Sequence, residues 1–138
     1  MDRNNFRDIL KLSVGEGQEH FVATNAYSLS QAKAQPECVP FAIYAGETLV
    51  GFCMYGMDVG DREYWIYRLM IDRAYQSQGY GREALSLLLE RLQADSSHHM
   101  VYLSCNPENA WGRALYESVG FQPDGREVHG EIVYRKVW

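Results

Sequence analysis

Gly79 and Gly81 stand in the stretch Gln76-Ser77-Gln78-Gly79-Tyr80-Gly81, after the β-rich run WIYRLMID and before the leucine-rich run REALSLLLERL. A helix N-terminus carries about half a unit of positive charge and four unpaired N–H groups. A loop without Cβ atoms in front of it lets an anion approach closely enough to collect those donors. A phosphate or pyrophosphate is the ligand that suits such a stretch. The plain alternative is a glycine-rich turn that only reverses the chain.

Three phosphate loops compete for the pattern. The P-loop requires a lysine after its second glycine, and none follows here. The dinucleotide fingerprint is matched literally by Gly79-Tyr80-Gly81-Arg82-Glu83-Ala84. That fingerprint turns directly off its strand, whereas Asp72 to Gln78 intervene in this chain, and the next strand ends in Cys105-Asn106 rather than an acid. What remains is the longer loop Gln76-x-x-Gly79-x-Gly81.

The rest of the chain predicts the elements around this loop. Phe6, Ile9, Leu10 and Leu12 predict an amphipathic helix over about 3–13. A short helix is expected over Ser30–Ala34, capped by Ser28 or Ser30. Phe41–Ala45 and Thr48–Tyr55 flank Gly46-Glu47 as strands of a tight hairpin, and a third strand spans about Glu63–Ile71. Beyond the loop, Ala84, Leu85, Leu88, Leu89 and Leu92 recur at helical spacing. HMVYLSC reads as a strand buried on both faces. Asn109 fits the N-cap of the next helix and Gly120 its left-handed end, and the tail forms a hairpin around His129-Gly130. The sum is an α/β (α+β) fold: a mixed, mostly antiparallel central sheet flanked by helices, with one central β-loop-α-β unit. No repeat or linker divides it, so residues 1–138 are expected to form a single domain.

Composition removes several function classes. The net charge is −5 and no cluster of Lys and Arg occurs, which argues against a nucleic-acid partner. No apolar stretch approaches the roughly 20 residues of a membrane span, and the start MDRNNFRDIL does not read as a signal peptide. Cys38, Cys53 and Cys105 are far apart with no C-x-x-C, so neither metal nor disulfide is expected, and a reducing cytoplasm fits. His20, His98, His99 and His129 stand without a nucleophile pattern and receive no role.

Two motifs together carry a resemblance to a known family. LMIDRAYQSQGYGREA resembles the acetyl-CoA signature [QR]-x-x-G-x-[GA] of the GNAT superfamily of N-acetyltransferases. At the right distance, Asn109 to Phe121 resembles that superfamily's N-x-x-A-x-x-L-Y-x-x-x-G-F. The likeness covers about residues 41–137. GFCMYG, W-x-x-R-x-x-I-D, YQSQGYG, YLS and the terminal G-E-x-V look most like the bacterial spermine/spermidine acetyltransferases. Three departures stand out: no strand is expected before the first helix, Gly112 replaces the usual alanine, and Tyr67 and Ala23 stand where acids are common.

The resemblance implies acetyl-CoA as co-substrate and a small-molecule amine as acceptor, and it allows a homodimer. It places pantetheine in a gap beside the third strand, against backbone groups of Met70 and Ile71. It also implies pyrophosphate on the N–H groups of Gln76, Ser77, Gln78, Gly79, Tyr80 and Gly81, with Arg82 beside them. Asn109 would reach the cofactor in addition to capping its helix. Tyr116 would protonate the departing thiolate, since a phenol near pKa 10 suits that step. A core tyrosine is its bland alternative. Tyr55, Trp65 and Tyr67 would wall the acceptor site with aromatic faces that attract cations, or simply pack the core. Glu63 and Asp72 are the carboxylates considered for the base, against a solvated strand-end role, and Arg68 shares strand parity with Asp72 as a structural pair. A peptide N-acetyltransferase and a catalytically silent acyl-CoA-binding module are the competing readings.

Overall fold

The computed structural model describes residues 1–138. Two helices, α1 (Phe6–Lys11) and α2 (Asn25–Ala34), precede strands β1 (Cys38–Ala45), β2 (Thr48–Met57) and β3 (Tyr64–Ile71). A single 3-10 turn and the glycine loop lead into α3 (Tyr80–Gln93). The chain then runs through β4 (Met100–Cys105), α4 (Ala110–Ser118), β5 (Gln122–Val128) and β6 (Glu131–Val137). The six strands form one sheet in the order β1-β2-β3-β4-β6-β5, antiparallel everywhere except between β3 and β4. No helix is long and apolar enough to cross a membrane.

Two apolar clusters fix the helices on the sheet. Leu85, Leu88, Leu89 and Leu92 lie on one stripe of α3 and meet Cys53, Ile66, Leu69, Val101, Leu103 and Tyr134 from the strands. On the other face, Ile9 of α1 packs with Cys38, Phe52, Met54 and Met70. Truncating one of these leucines to alanine costs about 2–5 kcal/mol by the usual cavity argument.

Four local expectations change. Helix α1 is shorter than 3–13, because Asp2 Oδ1 accepts the N–H groups of Asn4 and Asn5 in a turn and Leu12 is already extended. Helix α2 begins five residues before Ser30. Thr24 caps it by accepting the Tyr27 N–H at 3.1 Å, while Ser28 and Ser30 turn back to the carbonyls of Thr24 and Ala26. Strand β1 extends back through Pro40, which an edge strand tolerates because a ladder bond on its outer side is not needed. Strand β4 alternates instead of being buried on both faces, with Val101, Leu103 and Cys105 inside and Met100, Tyr102 and Ser104 half-buried.

The parallel pair β3/β4 holds for only three registers, Tyr64↔Val101, Trp65↔Tyr102 and Ile66↔Leu103. The next residue, Tyr67, is extra relative to β2, where the pairing steps from Tyr55↔Ile66 to Met54↔Arg68. From there β3 and β4 part. The closed end is fastened by the α3–β4 turn. The Asp95 carboxylate accepts from Tyr64 Oη at 2.7 Å, from Ser97 Oγ and from the Ser97 N–H at 3.0 Å. His98 bridges Asp95 Oδ2 and the Arg62 carbonyl, each at 3.1 Å. Hydrogen bonds from Ser97 and Tyr64 hold the Asp95 carboxyl well below the usual carboxylate range. Burial and the same bond push Tyr64 up to about 12.

A carboxyl whose folded pKa is depressed stabilises the fold above its unfolded value, here 3.8, and that contribution is lost as pH falls through the folded value. Asp95→Asn is therefore expected to melt below wild type at pH 5–8, with the gap narrowing below about pH 4. Thermal unfolding followed by circular dichroism across pH checks this. An undiminished gap at pH 3 would show that the charge on Asp95 is irrelevant.

Candidate functional site

Where β3 and β4 separate, each strand stays bonded on its other side, β3 to β2 and β4 to β6. The Asp72 N–H donates to the Val50 carbonyl of β2 at 2.8 Å. Alternation along an antiparallel strand then turns the Met70 peptide groups toward β2 and those of Leu69 and Ile71 toward the gap. Of the two residues expected at this edge, Ile71 faces the gap and Met70 does not. Leu69, two residues before Ile71, takes the place assigned to Met70.

Three hollows run along the gap. The largest, about 450 Å³, is lined by Trp65, Tyr67, Arg68, Ser104, Tyr116 and Glu131, with Glu19 to Ala23 across from them. A narrow neck follows, bounded by Met70, Ile71, Asn109 and Trp111. The third, about 110 Å³, lies at the glycine loop between Gln76–Arg82 and Trp111. Neighbouring hollows share residues: Phe21 and Val22 join the first two, Ile71, Gln76 and Trp111 the last two. A long thin molecule with an anionic end fits this trough.

The two glycines of the loop have different jobs. Gly79 is the N-cap of α3 at φ +86°, and a Cβ there would meet nothing within 4 Å. No side chain caps this helix, so the N–H groups at its start are left for another acceptor. Gly81 is buried, and a Cβ on it would lie 3.2 Å from the Trp111 ring and 3.6 Å from Leu115. Its bareness lets α3 approach α4 closely, and Gly81 also lines the hollow at the loop. Gln76 braces the loop, donating from Nε2 to the Ile71 carbonyl and to Gln18 Oε1, both at 3.0 Å. Ser77, at φ +64°, and Gln78 are exposed, as is Arg82 on the first turn. Asn109 Oδ1 caps α4 by accepting the Gly112 N–H at 2.9 Å. A Cβ at Gly112 would sit 2.6 Å from Asn109 Nδ2, so an alanine there would require the Asn109 amide to shift.

Tyr116 reaches the largest hollow from α4. Its hydroxyl has no hydrogen-bond partner within the protein, and burial first, then the charges of Cys105 and Glu131, raise its pKa. At neutral pH it holds its proton and is able to donate it. Cys105 is buried, and burial pushes its thiol up to about 11, so it is no thiolate nucleophile.

Trp65 and Tyr67 line the hollow as expected, Trp65 stacked on Tyr102 at 5.1 Å and donating to Asp61 Oδ2 at 2.9 Å. Tyr55 does not join them. It lies on the α3 face, stacked on Phe41 at 5.8 Å, with its hydroxyl accepting from Arg91. Glu63 also lies outside the hollow, before β3 begins. Asp72 is spent on structure, accepting from the Ser13 and Ala74 N–H groups, and it forms no pair with Arg68. Arg68 instead donates to the Tyr67 carbonyl at 2.7 Å and to Gln31 at 3.0 Å, over the ring of Tyr27. The sequence reading missed Glu19, His20 and Glu131 as lining residues. Only the G-E-x-V motif carried a signal for the last.

Comparison with known proteins agrees with this geometry. The profile of the acetyltransferase (GNAT) family matches residues 6–121. The spermine/spermidine N(1)-acetyltransferase of Bacillus subtilis strain 168 is 32% identical over 135 residues, which cover 93% of this chain and 89% of that protein. Among solved structures, an aminoglycoside acetyltransferase in complex with coenzyme A superposes with a TM-score of 0.82 at 13% identity, covering 99% of this chain and 91% of that one. Spermidine N-acetyltransferase from Vibrio cholerae, in complex with CoA and spermine, gives 0.74 at 19% identity over 98% and 89%.

The division of labour between the glycines is testable. Gly79→Ala is expected to fold, losing about 1–2 kcal/mol to its left-handed torsion, and to bind coenzyme A more weakly in calorimetry. Gly81→Val is expected to lower the melting temperature through collision with Trp111 and Leu115. A fully stable Gly81→Val variant would return that glycine to the ligand.

Proposed function

Since the chain belongs to the GNAT family of acetyltransferases, we propose that it transfers the acetyl group of acetyl-CoA directly to a primary amine of a small cationic acceptor, spermine, spermidine or a related amine, with Tyr116 as general acid. The observation that carries the reading is Tyr116 itself, whose unpartnered hydroxyl lines the hollow where β3 and β4 part. Acetyl-CoA supplies an activated acetyl carbon and a thiolate leaving group.

The chain's own groups fit that molecule along the trough. The Leu69 peptide groups and the Ile71 N–H offer a strand edge of the kind an extended arm pairs with, the Ile71 carbonyl already accepting from Gln76. The uncapped start of α3, from Gly79 to Arg82, offers N–H donors and a positive helix end for a pyrophosphate. Asn109 and Trp111 flank the neck between them. Tyr116 then gives its proton to sulfur as the carbon–sulfur bond breaks.

Support for a cationic acceptor comes from the walls of the large hollow, where Glu19 and Glu131 stand among Trp65, Tyr67 and His20. Carboxylates and aromatic faces both favour ammonium groups. Its one guanidinium, Arg68, is already directed at Gln31 and a main-chain carbonyl. A hollow of about 450 Å³ suits a small amine better than a folded protein substrate. Ala23 also lines it, in place of the acid common in the polyamine branch, and favours an amine with fewer charges or weaker polyamine binding.

Steady-state kinetics with acetyl-CoA and spermine, spermidine or a monoamine tests the proposal. Tyr116→Phe is expected to lower kcat by about 10²–10⁴-fold while acetyl-CoA affinity stays near wild type. The polyamines are expected to be preferred over the monoamine, with the preference shrinking at high ionic strength. Wild-type turnover in the variant would return Tyr116 to the core. Equal rates on all three amines, indifferent to salt, would refute cationic recognition.

A further inference from the structure

We infer that Glu131 is the carboxylate that receives the acceptor's reacting ammonium group and takes its proton. This rests on the acetyl-transfer reading and adds the missing base to it. Glu131 opens β6, and its neighbours along the strand, Ile132 and Tyr134, turn to the helical side and pack in the core with α3 and α4. Alternation sends Glu131 the other way, into the large hollow. There it stands across the gap from Tyr116, which enters from the helical side.

Three features set Glu131 apart from other carboxylates. Ser104 Oγ donates to its Oε1 at 2.9 Å, which fixes the group and leaves Oε2 without a protein donor. It is half-buried yet forms no ion pair. Arg68, in the same hollow, feels the Glu131 charge without pairing with it, and a partly desolvated carboxylate with no ion-pair partner favours a cation beside it. Its charge also reaches the proposed acid, since it contributes to the raised pKa of Tyr116. The other groups facing the hollow are Glu19 and His20 from the loop before α2, Tyr67 and Arg68 from β3, Ser104 from β4 and Tyr116 from α4. Glu19 is exposed and screened by water, so it competes poorly for the role.

The proton balance closes with these residues. Glu131 takes one proton from the ammonium, leaving a neutral amine. The nitrogen lone pair forms the bond to the acetyl carbon, and the carbon–sulfur bond breaks with its electron pair going to sulfur. Tyr116 gives its proton to that sulfur, and the second proton on nitrogen restores the phenol. Glu131 releases its proton to solvent. Ammonium plus thioester become acetamide, thiol and one proton.

Glu131→Gln keeps the volume and an oxygen for Ser104 while removing the charge. With spermine at pH 7, kcat/KM is expected to fall by about 10²–10⁴-fold, with melting temperature and acetyl-CoA affinity unchanged. The deficit is expected to narrow toward pH 10, where the free amine is abundant without a base. Wild-type rates in the variant, or a deficit of the same size at every pH, would overturn the role of Glu131 while leaving the acetyltransferase reading intact. A wild-type enzyme that acetylates neither polyamines nor monoamines would overturn both.

Discussion

Everything in this protein that bears on chemistry depends on a parallel strand pair that stops pairing. After Ile66↔Leu103 no ladder bond joins β3 to β4, yet neither strand frays, because β2 holds one and β6 the other. Peptide groups left inside a sheet without partners are costly unless water or a ligand satisfies them. The Tyr67 bulge turns β3 at the point of separation, and the Asp95, Ser97 and His98 cluster pins the opposite end. The opening is thus a fixed feature of the sheet.

The surrounding elements make sense as attachments to that opening. The loop between β3 and α3 is braced by Gln76 and aims an uncapped helix start at one end of the trough. Helix α4 delivers Tyr116 to the large hollow, and its own N-terminus is closed by Asn109 rather than left for a ligand. The start of β6 and the segment before α2 supply the acidic wall. Helix α3 approaches α4 closely at position 81, where a Cβ would lie 3.2 Å from the Trp111 ring.

Much of this was legible in the sequence because it rests on local rules. The hairpin at Gly46, the leucine stripe of α3, the Asn109 cap and the Gly120 stop all follow from torsion and periodicity. What escaped depends on pairing partners. The serines of α2 resemble caps, and only the i−4 carbonyls they bond show that they are interior. Tyr55 reads as an equal of Trp65 until its pairing with Ile66 puts it on the α3 face. Met70 and Leu69 differ only in which neighbour their peptide groups face, which the Asp72–Val50 bond decides. Glu131 looks like any carboxylate at a hairpin until the gap beside β4 is seen.

The central claim is that the bare edge of β3 is where acetyl-CoA lies. Residue-resolved amide hydrogen exchange by NMR, with and without acetyl-CoA, tests it most directly. The account predicts that the Leu69 and Ile71 amides exchange more slowly when acetyl-CoA is added, while the Met70 amide, already bonded to β2, changes little. Protection that appears elsewhere and leaves Leu69 and Ile71 unaffected would contradict it.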